Sequence, residues 1–558
     1  MRDQIQVIER PPHIWVCATP FAGVVRESLL GREGAFDSMS GATILKDNDA
    51  RTIMSINLNP DKHLFVKRFK MNSFLERAKA FLFSSKAYRE WFTLRSLAAR
   101  EVKVPQPLAL LETRRWGCPV DCYLFTDQVR NAVTLRELVS GSDVALGPEL
   151  RAVLRAVAVL VDNVHKADYY HKDLHTGNVL VRSMPGAAPE TFLLDVHRGS
   201  FTSLRRGRIV DSLAQMYHSI RHVGSWRAGI GFLREYAAVT RFDARSLIRD
   251  VCETADRLRV RHITSRAARS LQASSAYRMD QTPDWRIFRR AEFPYDAVVE
   301  IVKAHTWQVE NARSSLVKDH PTRRISIVST DAALMARDYI VKEELHQGFL
   351  HNLGRALGMS RSRRSWRNSH ALRLAGVPAP EAYALVEEPP GRNATNSSLV
   401  ISQREAGTVP LDRFVRERFP ANPLAPVKDR RRFARDLARF VGRVHERGVY
   451  HGDLKANNVL VGEREGGETV FSVLDIDRVR IVRRVSNDMR VTNLAQLNAS
   501  LPAGLTRADR LAAFRAYWRC RPSGRQVVRS FVGAVMDLTR ARKHVWPVQT
   551  PGTSEPQL

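Results

Sequence analysis

The stretch "YYHKDLHTGNVLV" (residues 169–181) returns later in the chain as "VYHGDLKANNVLV" (449–461). Shifting the sequence along itself until His171 falls on His451 superposes the two stretches without a gap. A repeat over so long a distance indicates duplicated domains, because solenoid repeats are much shorter. We therefore predict two similar domains, each of which places this stretch at the same point of its fold.

The elements around each stretch repeat as well. Apolar residues with the i, i+4, i+7, i+8, i+11 spacing of a core-packed helix precede it, namely Val153, Val157, Leu160, Val161 and Val164, and then Phe433, Leu437, Phe440, Val441 and Val444. The closing "NVLV" and a later apolar segment predict two short buried strands. The second of these strands ends at Asp195 in the first copy and at Asp475 in the second.

The front of each half is rich in predicted strands. The strand "HLFVKRF" (63–69) carries Lys67, and the strand "DYIVKEE" (338–344) carries Lys342. A helix-like segment with a tryptophan follows each strand. The predicted fold class is therefore α+β, with two tandem domains that each have a strand-rich front and a helix-rich back.

The length of the chain supports this division. At 558 residues it is too long for one hydrophobic core, and its 44% hydrophobic and 26% charged content is typical of globular protein. We predict a first domain over 1–258 and a second over 259–546, which begins before the hairpin-like "SSAYRMDQTPDWRIFRR". The tail 547–558 has no periodicity and is predicted to be disordered.

Charge and cysteine content limit the class of protein. The net charge of +30 predicts a surface that attracts polyanions such as nucleic acid, anionic lipid or phosphorylated glycan, but no RNA-binding motif supports nucleic acid. The five cysteines are odd in number and mostly far apart, which favours a reducing cytoplasm. The sequence shows neither a secretory signal nor an apolar run long enough for a membrane span.

Each half contains the residue types that phosphoryl transfer requires. Asp173 and Asp453 can accept a hydroxyl proton, and the asparagine five residues later offers a neutral oxygen to Mg²⁺, which prefers hard oxygen ligands. Asp195 and Asp475 add a carboxylate that can bridge a metal ion to the β- and γ-phosphates. The two halves thus predict two phosphoryl-transfer sites.

Other polar residues are expected near these candidates. Lys67 and Lys342 can hold the α- and β-phosphates, and Lys455 can neutralise the γ-phosphate, where the first half has His175. The two loop histidines, by contrast, are expected to bond backbone and shape the loop rather than to touch the substrate.

Together these residues resemble the lipopolysaccharide core kinases, the Kdo/heptose kinase family, which are similar to eukaryotic protein kinases. The resemblance rests on "HKDLHTGNVLV" with "FLLDVHR" (171–198), "HGDLKANNVLV" with "LDIDRVR" (451–480), "FVKRF" (65–69) and "NLAQLNASL" (493–501). It implies two protein-kinase-like bilobal domains that use ATP and Mg²⁺ to phosphorylate sugar hydroxyls, of Kdo or heptose, in the lipopolysaccharide inner core. By position it implies Asp173 and Asp453 as catalytic bases, Asn178, Asp195, Asn458 and Asp475 as metal ligands, and Lys67 and Lys342 as ATP contacts, with Glu90 as the carboxylate partner of Lys67.

Two features depart from the pattern of this family. Aligning the tryptophans of the two helix-like segments puts Ser365 opposite Glu90, so the lysine of the second half lacks its expected partner. Neither half has a G-x-G-x-x-G loop, whose backbone N–H groups would approach phosphate closely. The first half offers only "GREGAFDSMSG" (31–41), and in the second half we hypothesise that the hydroxyls of Ser274 and Ser275 take this role.

Arginines follow each metal-ligand aspartate, where kinases dock their acceptor. They are Arg198, Arg205, Arg206 and Arg208 in the first half and Arg478, Arg480, Arg483 and Arg484 in the second. Guanidinium groups bind phosphate and carboxylate through paired hydrogen bonds, which favours an anionic acceptor such as lipid A with its inner core. We then expect a peripheral protein on the cytoplasmic face of the inner membrane.

Two other interpretations stay open. A kinase that acts on protein serine or threonine, or on another small molecule, would use the same residues, although no A-P-E-like anchor follows the metal-ligand aspartate. A catalytically silent pseudokinase that binds anionic glycolipid would keep the fold without turning over ATP. No nucleic-acid partner is expected in any of these cases.

Overall fold

The computed structural model describes residues 5–47, 51–59, 62–71, 84–140, 147–184, 186–330, 337–347, 360–388, 395–420, 425–464, 466–518 and 525–542. The chain forms two compact units, Met1–Leu258 and Arg259–Leu558. The domain limits 1–258 and 259–546 stay predictions, and the predicted tail 547–558 lies outside the described residues. Within the described ranges, no helix is long and apolar enough to cross a membrane.

Seven antiparallel strands form the front of the first unit. They are β1 (Ile5–Arg10), β2 (His13–Ala18), β3 (Ala42–Asp47), β4 (Arg51–Asn59), β5 (Lys62–Lys70), β6 (Pro107–Arg115) and β7 (Cys118–Asp127). Their spatial order is β1-β2-β6-β7-β5-β4-β3, so the Lys67 strand lies between β7 and β4. An aromatic cluster of Trp15, Phe36, Tyr123 and Phe125 packs on one face of this sheet.

Helices form most of the back of the first unit. They are α1 (Lys86–Ala98), α2 (Leu135–Val139), α3 (Pro148–Lys166), α4 (Arg206–Val223), α5 (Trp226–Thr240) and α6 (Ala244–Ala268), with the short strands β8 (Ala132–Thr134), β9 (Tyr169–Tyr170), β10 (Val179–Arg182), β11 (Glu190–Leu193) and β12 (Ser200–Phe201). The predicted apolar stripe of α3 is fully inside the core. Because α3 leads directly into residues 169–181, this core supports the repeated stretch.

The second unit repeats these elements. Its strands are β13 (Tyr277–Gln281), β14 (Arg286–Arg290), β15 (Lys318–His320), β16 (Arg323–Thr330), β17 (Arg337–Gln347), β18 (Ala382–Glu387), β19 (Thr395–Gln403), β20 (Thr408–Pro410), β21 (Val449–Tyr450), β22 (Val459–Glu463), β23 (Thr469–Val473) and β24 (Arg480–Ile481). Its helices are α7 (Tyr295–Asn311), α8 (Arg361–Ala375), α9 (Leu411–Arg418), α10 (Val427–Glu446), α11 (Asn487–Ser500), α12 (Arg507–Trp518) and α13 (Arg525–Ala541).

The two sheets have the same topology. The second sheet has the order β13-β14-β18-β19-β17-β16-β15, which matches the first sheet strand by strand. Lys67 pairs with Ile53 on one neighbouring strand, and Lys342 pairs with Ile325 on the equivalent strand. The predicted duplication of a mixed helix and sheet fold is therefore confirmed.

The structure contradicts both candidates for the missing glycine loop. The end of β3 and the start of β4 lie beside Lys67, because Lys46, Ile53 and Lys67 pair across the three strands. The end of β15 and the start of β16 lie beside Lys342 in the same way. Residues 31–41 lie at the opposite end of β3, where Gly41 has a φ of +84° and a Cβ would approach the Asn57 carbonyl oxygen to 2.7 Å. Ser274 and Ser275 precede β13, at the sheet edge opposite to β15. Neither segment can cover a phosphate bound beside the lysine strand.

Candidate active site

A buried histidine anchors each repeated stretch. His171 Nε2 donates to the Leu194 carbonyl oxygen at 3.0 Å, and its Nδ1 accepts from the Asp173 N–H at 3.3 Å. His451 bonds the Leu474 carbonyl oxygen at 2.7 Å in the same way. Burial lowers the pKa of both histidines, so both are neutral at pH 7. The expectation that these histidines bond backbone and shape the loop is confirmed.

The asparagine of each stretch turns back onto the candidate base. Asn178 Nδ2 donates to the Asp173 carbonyl oxygen at 2.9 Å, and Asn458 Nδ2 donates to the Asp453 carbonyl oxygen at 2.9 Å. Because the amide nitrogen is engaged, Oδ1 is the atom left to bind a metal ion.

The second aspartates lie just after β11 and β23. Asp195 has a φ of 58° and Asp475 a φ of 53°, which is the left-handed region that aspartate tolerates better than most residues. The His171 and His451 bonds to the preceding carbonyl hold these positions against the loops that carry Asp173 and Asp453. Base and metal-ligand candidates are thus joined through the backbone.

In the first unit, Lys67 contacts two carboxylates. Its Nζ lies 2.5 Å from Glu90 Oε1 and 3.1 Å from Asp195 Oδ1. Burial would lower the pKa of Lys67, but Glu90 and Asp195 outweigh it and raise that pKa. The pKa of each carboxyl is lowered in turn, since Lys67 offsets the burial. His197 Nδ1 lies 3.5 Å from Glu90 Oε2 on the other side of this cluster.

In the second unit, the equivalent lysine is poorly paired. Lys342 Nζ lies 3.9 Å from Asp475 Oδ1. Helix α8 contains no acidic residue, and matching its N-cap serine Ser360 to Ser85 of α1 puts Ser365 at the place of Glu90. Burial lowers the pKa of Lys342, because the single close carboxylate only partly offsets it. The predicted loss of the helical partner is confirmed.

The position after the second aspartate also differs between the units. His197 faces Glu90, whereas Asp477 at the matching position is buried and its charge acts on the pKa of Lys342. The two units therefore differ in the surroundings of the lysine, and in the first unit His197 also lines a cavity beside the repeated stretch.

Each unit has a cavity beside the repeated stretch. The first cavity has a volume of about 1350 Å³, and its lining includes Lys46, Arg51, Asp173, His175, Asn178, Asp195, His197 and Arg198. The second has a volume of about 510 Å³ and is lined by Gly452, Asp453, Lys455, Arg478, Thr492, Gln496 and Arg542. Lys455 Nζ lies 3.2 Å from Asp453 Oδ1, while His175 Nε2 is 4.0 Å from Asp173 Oδ1.

Only part of the predicted arginine clusters faces these cavities. Arg198 and Arg478 line them, and Arg198 Nη1 lies 3.5 Å from Asp173 Oδ2. Arg206 is bound instead to Asp250 at 2.9 Å. Proximity in sequence to the aspartate therefore predicted the first arginine of each run and not the whole run.

Two side chains that were not predicted as site residues support the loop in each unit, although the segment "NLAQLNASL" (493–501) in the family resemblance contains the second pair. A glutamine and a serine on the following helix accept loop N–H groups in both units: Gln215 from Leu174 at 2.9 Å, Ser219 from Thr176 at 3.1 Å, Gln496 from Leu454 at 2.9 Å and Ser500 from Ala456 at 2.8 Å. The shared pattern L-A-Q-x-x-x-S, in "SLAQMYHSI" (212–220) and "NLAQLNASL" (493–501), was the available signal. The two copies of this pattern stand slightly further apart in the chain than the two copies of the stretch they support.

Two arginines were missed as well. Arg51 Nη1 lies 3.2 Å from Asp195 Oδ1, and Arg323 Nη1 lies 3.3 Å from Asp475 Oδ1. Both arginines begin the strand next to the lysine strand. The same cation therefore contacts the same carboxylate in both copies.

Comparison with known proteins gives a family for this chain. Residues 46–247 and 307–517 each match the family model described as "Lipopolysaccharide kinase (Kdo/WaaP) family". A solved structure entitled "WaaP in complex with acyl carrier protein" is similar at 26% identity over 41% of this chain and 86% of that chain, with a TM-score of 0.32. A search of curated proteins finds no match.

We expect Gln215→Ala to loosen the repeated stretch, since it leaves the buried Leu174 N–H without its acceptor. An unmet buried hydrogen bond costs about 1–3 kcal/mol, so the free energy of unfolding should fall by that amount and amide exchange at residues 172–178 should accelerate. Gln215→Glu keeps a side-chain oxygen and should retain most of the stability. Urea denaturation with hydrogen exchange measures both effects, and equal effects of the two substitutions would contradict this role.

Proposed function

Because the chain belongs to the lipopolysaccharide kinase (Kdo/WaaP) family, in two tandem copies, we propose that each unit transfers the γ-phosphate of ATP to a sugar hydroxyl, of Kdo or heptose, in the lipopolysaccharide inner core. Membership of the family identifies a phosphotransferase that acts on sugar hydroxyls. The observation that carries the proposal is the repeated grouping of aspartate, asparagine, aspartate and lysine in both units.

The architecture supports a protein-kinase-like bilobal domain in each unit. The lysine lies on a central strand of the sheet, and the repeated stretch follows a long core helix in the helical part. In the first unit, the ion pair of Lys67 and Glu90 joins that strand to α1, as the equivalent pair does in protein kinases.

The residues of each unit fit a magnesium ion. Asn178 and Asn458 each present an amide oxygen, and Asp195 and Asp475 are ionised carboxylates with lowered pKa values. These are hard oxygen donors of the kind that Mg²⁺ prefers. When bound, Mg²⁺ and ATP supply the metal charge and the phosphoryl group.

The protein's own part is to position the acceptor and to move a proton. The carboxylate of Asp173, and that of Asp453 in the second unit, would accept the proton of the acceptor hydroxyl as the new O–P bond forms and the bond from the γ-phosphorus to the departing ADP breaks. Lys67 and Lys342 bind the nucleotide phosphates from the lysine strand. Lys455, in contact with Asp453, adds a positive charge that the first unit lacks at His175.

Charge supports an anionic acceptor. The chain has a net charge of +30, and Arg198 and Arg478 lie at the two cavities beside the base candidates. Guanidinium groups at these positions suit the Kdo carboxylate and the phosphates of lipid A with its inner core. Such an acceptor would place the protein peripherally on the cytoplasmic face of the inner membrane.

We expect Asp173→Asn and Asp453→Asn each to remove a different phosphate from the glycolipid. Each substitution removes the proton acceptor of one unit and leaves the other intact, and general-base catalysis contributes about 10²–10⁴-fold in rate. Mass spectrometry of lipopolysaccharide extracted from cells with each variant measures the outcome. Loss of every added phosphate in one variant and of none in the other would show that one unit is not a kinase.

We expect the second site to bind ATP about tenfold more weakly, which corresponds to ~1.4 kcal/mol. Lys342 has a lowered pKa and no helical carboxylate to orient it, whereas Lys67 has a raised pKa and is oriented by Glu90. Calorimetry on the full chain with Asp475→Asn or Asp195→Asn isolates the first or the second site. Equal or tighter binding by the second site would contradict this expectation.

We expect association with anionic glycolipid or membrane to weaken steeply as salt rises. The attraction arises from the +30 net charge, and the screening length falls from ~8 Å at physiological ionic strength to ~3 Å at 1 M. Flotation with vesicles of anionic lipid at two salt concentrations measures this, with neutral vesicles as the control. Binding that salt leaves unchanged would indicate an inserted apolar surface instead.

A further inference from the structure

The turn that leads into the strand beside the lysine strand has the same sequence pattern in both units. It reads "KDNDART" (46–52) in the first and "KDHPTRR" (318–324) in the second, which share K-D-x-x-x-R. The two turns stand closer together in the chain than the two repeated stretches do, so the shift that superposes the stretches does not align the turns. In both units the lysine pairs across the turn with the isoleucine two residues after the arginine.

The arginine of each turn reaches the metal-ligand aspartate. Arg51 Nη1 lies 3.2 and 3.3 Å from the two carboxylate oxygens of Asp195, and Arg323 Nη1 lies 3.3 Å from Asp475 Oδ1. Neither arginine side chain is deeply buried, with exposed fractions of 27% and 22%. Both are therefore accessible to a ligand that enters the cleft.

The lysine and the arginine of the turn lie on the same face of the sheet as the lysine of the lysine strand. Ile53 pairs with both Lys46 and Lys67, and residues paired across antiparallel strands have side chains on the same face. Arg51 is two residues from Ile53 and so has the same orientation. The second unit repeats this register.

The aspartate of the turn has a separate role. Asp47 Oδ1 accepts from the Thr52 hydroxyl at 2.6 Å, and Asp319 Oδ1 lies 3.5 Å from Arg324 Nε. In both units this aspartate contacts the residue directly after the arginine, through a hydrogen bond in the first unit and an ion pair in the second. The aspartate is thus engaged next to the start of the second strand, and in the first unit Lys46 and Arg51 line the cavity beside the repeated stretch.

We propose that the lysine and arginine of the K-D-x-x-x-R turn bind the nucleotide phosphates in each unit, in the place where a glycine-rich loop would use backbone N–H groups. The proposal rests on the proposed function. Without nucleotide, the metal-ligand aspartate, Asp195 or Asp475, neutralises the guanidinium group. With nucleotide, Arg51 and Arg323 exchange that carboxylate for phosphate oxygens, which they bind through paired hydrogen bonds. The metal-ligand aspartate then becomes available to bind a metal ion.

A simpler role would be an ion pair that only holds the turn in place. In that case, loss of the arginines would weaken every ligand of the cleft to the same extent. Phosphate binding predicts a loss confined to ligands that carry phosphates. The two roles therefore differ in their effect on ATP and ADP relative to adenosine.

The test is calorimetry on the full chain with ATP, ADP and adenosine in the presence of Mg²⁺. We expect the double variant Arg51→Ala/Arg323→Ala to bind ATP and ADP about 10- to 100-fold more weakly, the value of a hydrogen bond to a charged group, and adenosine as before. The matched control is Arg68→Ala/Arg404→Ala, which removes two arginines that pair with Asp121 and Asp338 elsewhere on the two sheets. The control should bind all three ligands like the wild type.

Unchanged ATP affinity, or an equal loss for ATP and adenosine, would overturn the proposal. If the alanine variant does not fold, the variant Arg51→Lys/Arg323→Lys tests the proposal in its place, because it keeps both charges and loses the paired hydrogen bonds. Weaker ATP binding with unchanged adenosine binding then supports the proposal, and unchanged ATP binding overturns it. A wild-type chain that binds none of the three ligands would contradict the proposed function itself.

Discussion

The hydrogen bond from a buried histidine to the carbonyl before the metal-ligand aspartate is the constraint on which both sites depend. It joins His171 to Leu194 and His451 to Leu474, across 23 residues in each unit. A neutral imidazole suits this position, because its Nε2–H donates to the strand end while its Nδ1 accepts a loop N–H. The base candidate and the metal-ligand aspartate are thus held to one rigid frame, and the glutamine and serine of the following helix fix the loop from the other side.

On this shared frame the two units distribute charge differently. Lys67 contacts Glu90 and Asp195, which compensates its burial, whereas Lys342 contacts Asp475 only at 3.9 Å. The second unit places Asp477 where the first has His197, so negative charge moves from the helix to the loop after the aspartate. A buried lysine needs opposite charge nearby to stay ionised, so the first unit stabilises its charged lysine better than the second unit does.

The duplication also separates what the fold requires from what a given reaction requires. Both units have the same sheet order. Both also have the histidine anchor and the glutamine and serine supports, which are side chains that hydrogen-bond to backbone groups. The residues that differ include His175 and Lys455, which lie beside the base candidates, and Glu90, which contacts Lys67 and is replaced by Ser365 in the second unit. This division is what two sites with related chemistry and different acceptors would need.

The sequence by itself determined the duplication, the α+β class, the core helices and the lysine strands, because those depend on local periodicity and on a gapless repeat. It also predicted the missing helical partner of Lys342. Tertiary structure alone decided which segments lie beside the two lysines: sheet order places the starts of β4 and β16 there, and it places residues 31–41, Ser274 and Ser275 elsewhere. The contact between Arg51 and Asp195 spans 144 residues. The segment between the arginine and the aspartate has a different length in the second unit, so the shift that superposes the repeated stretches does not superpose the two arginines. No local pattern encodes such a contact, since strand order and register bring its two ends together.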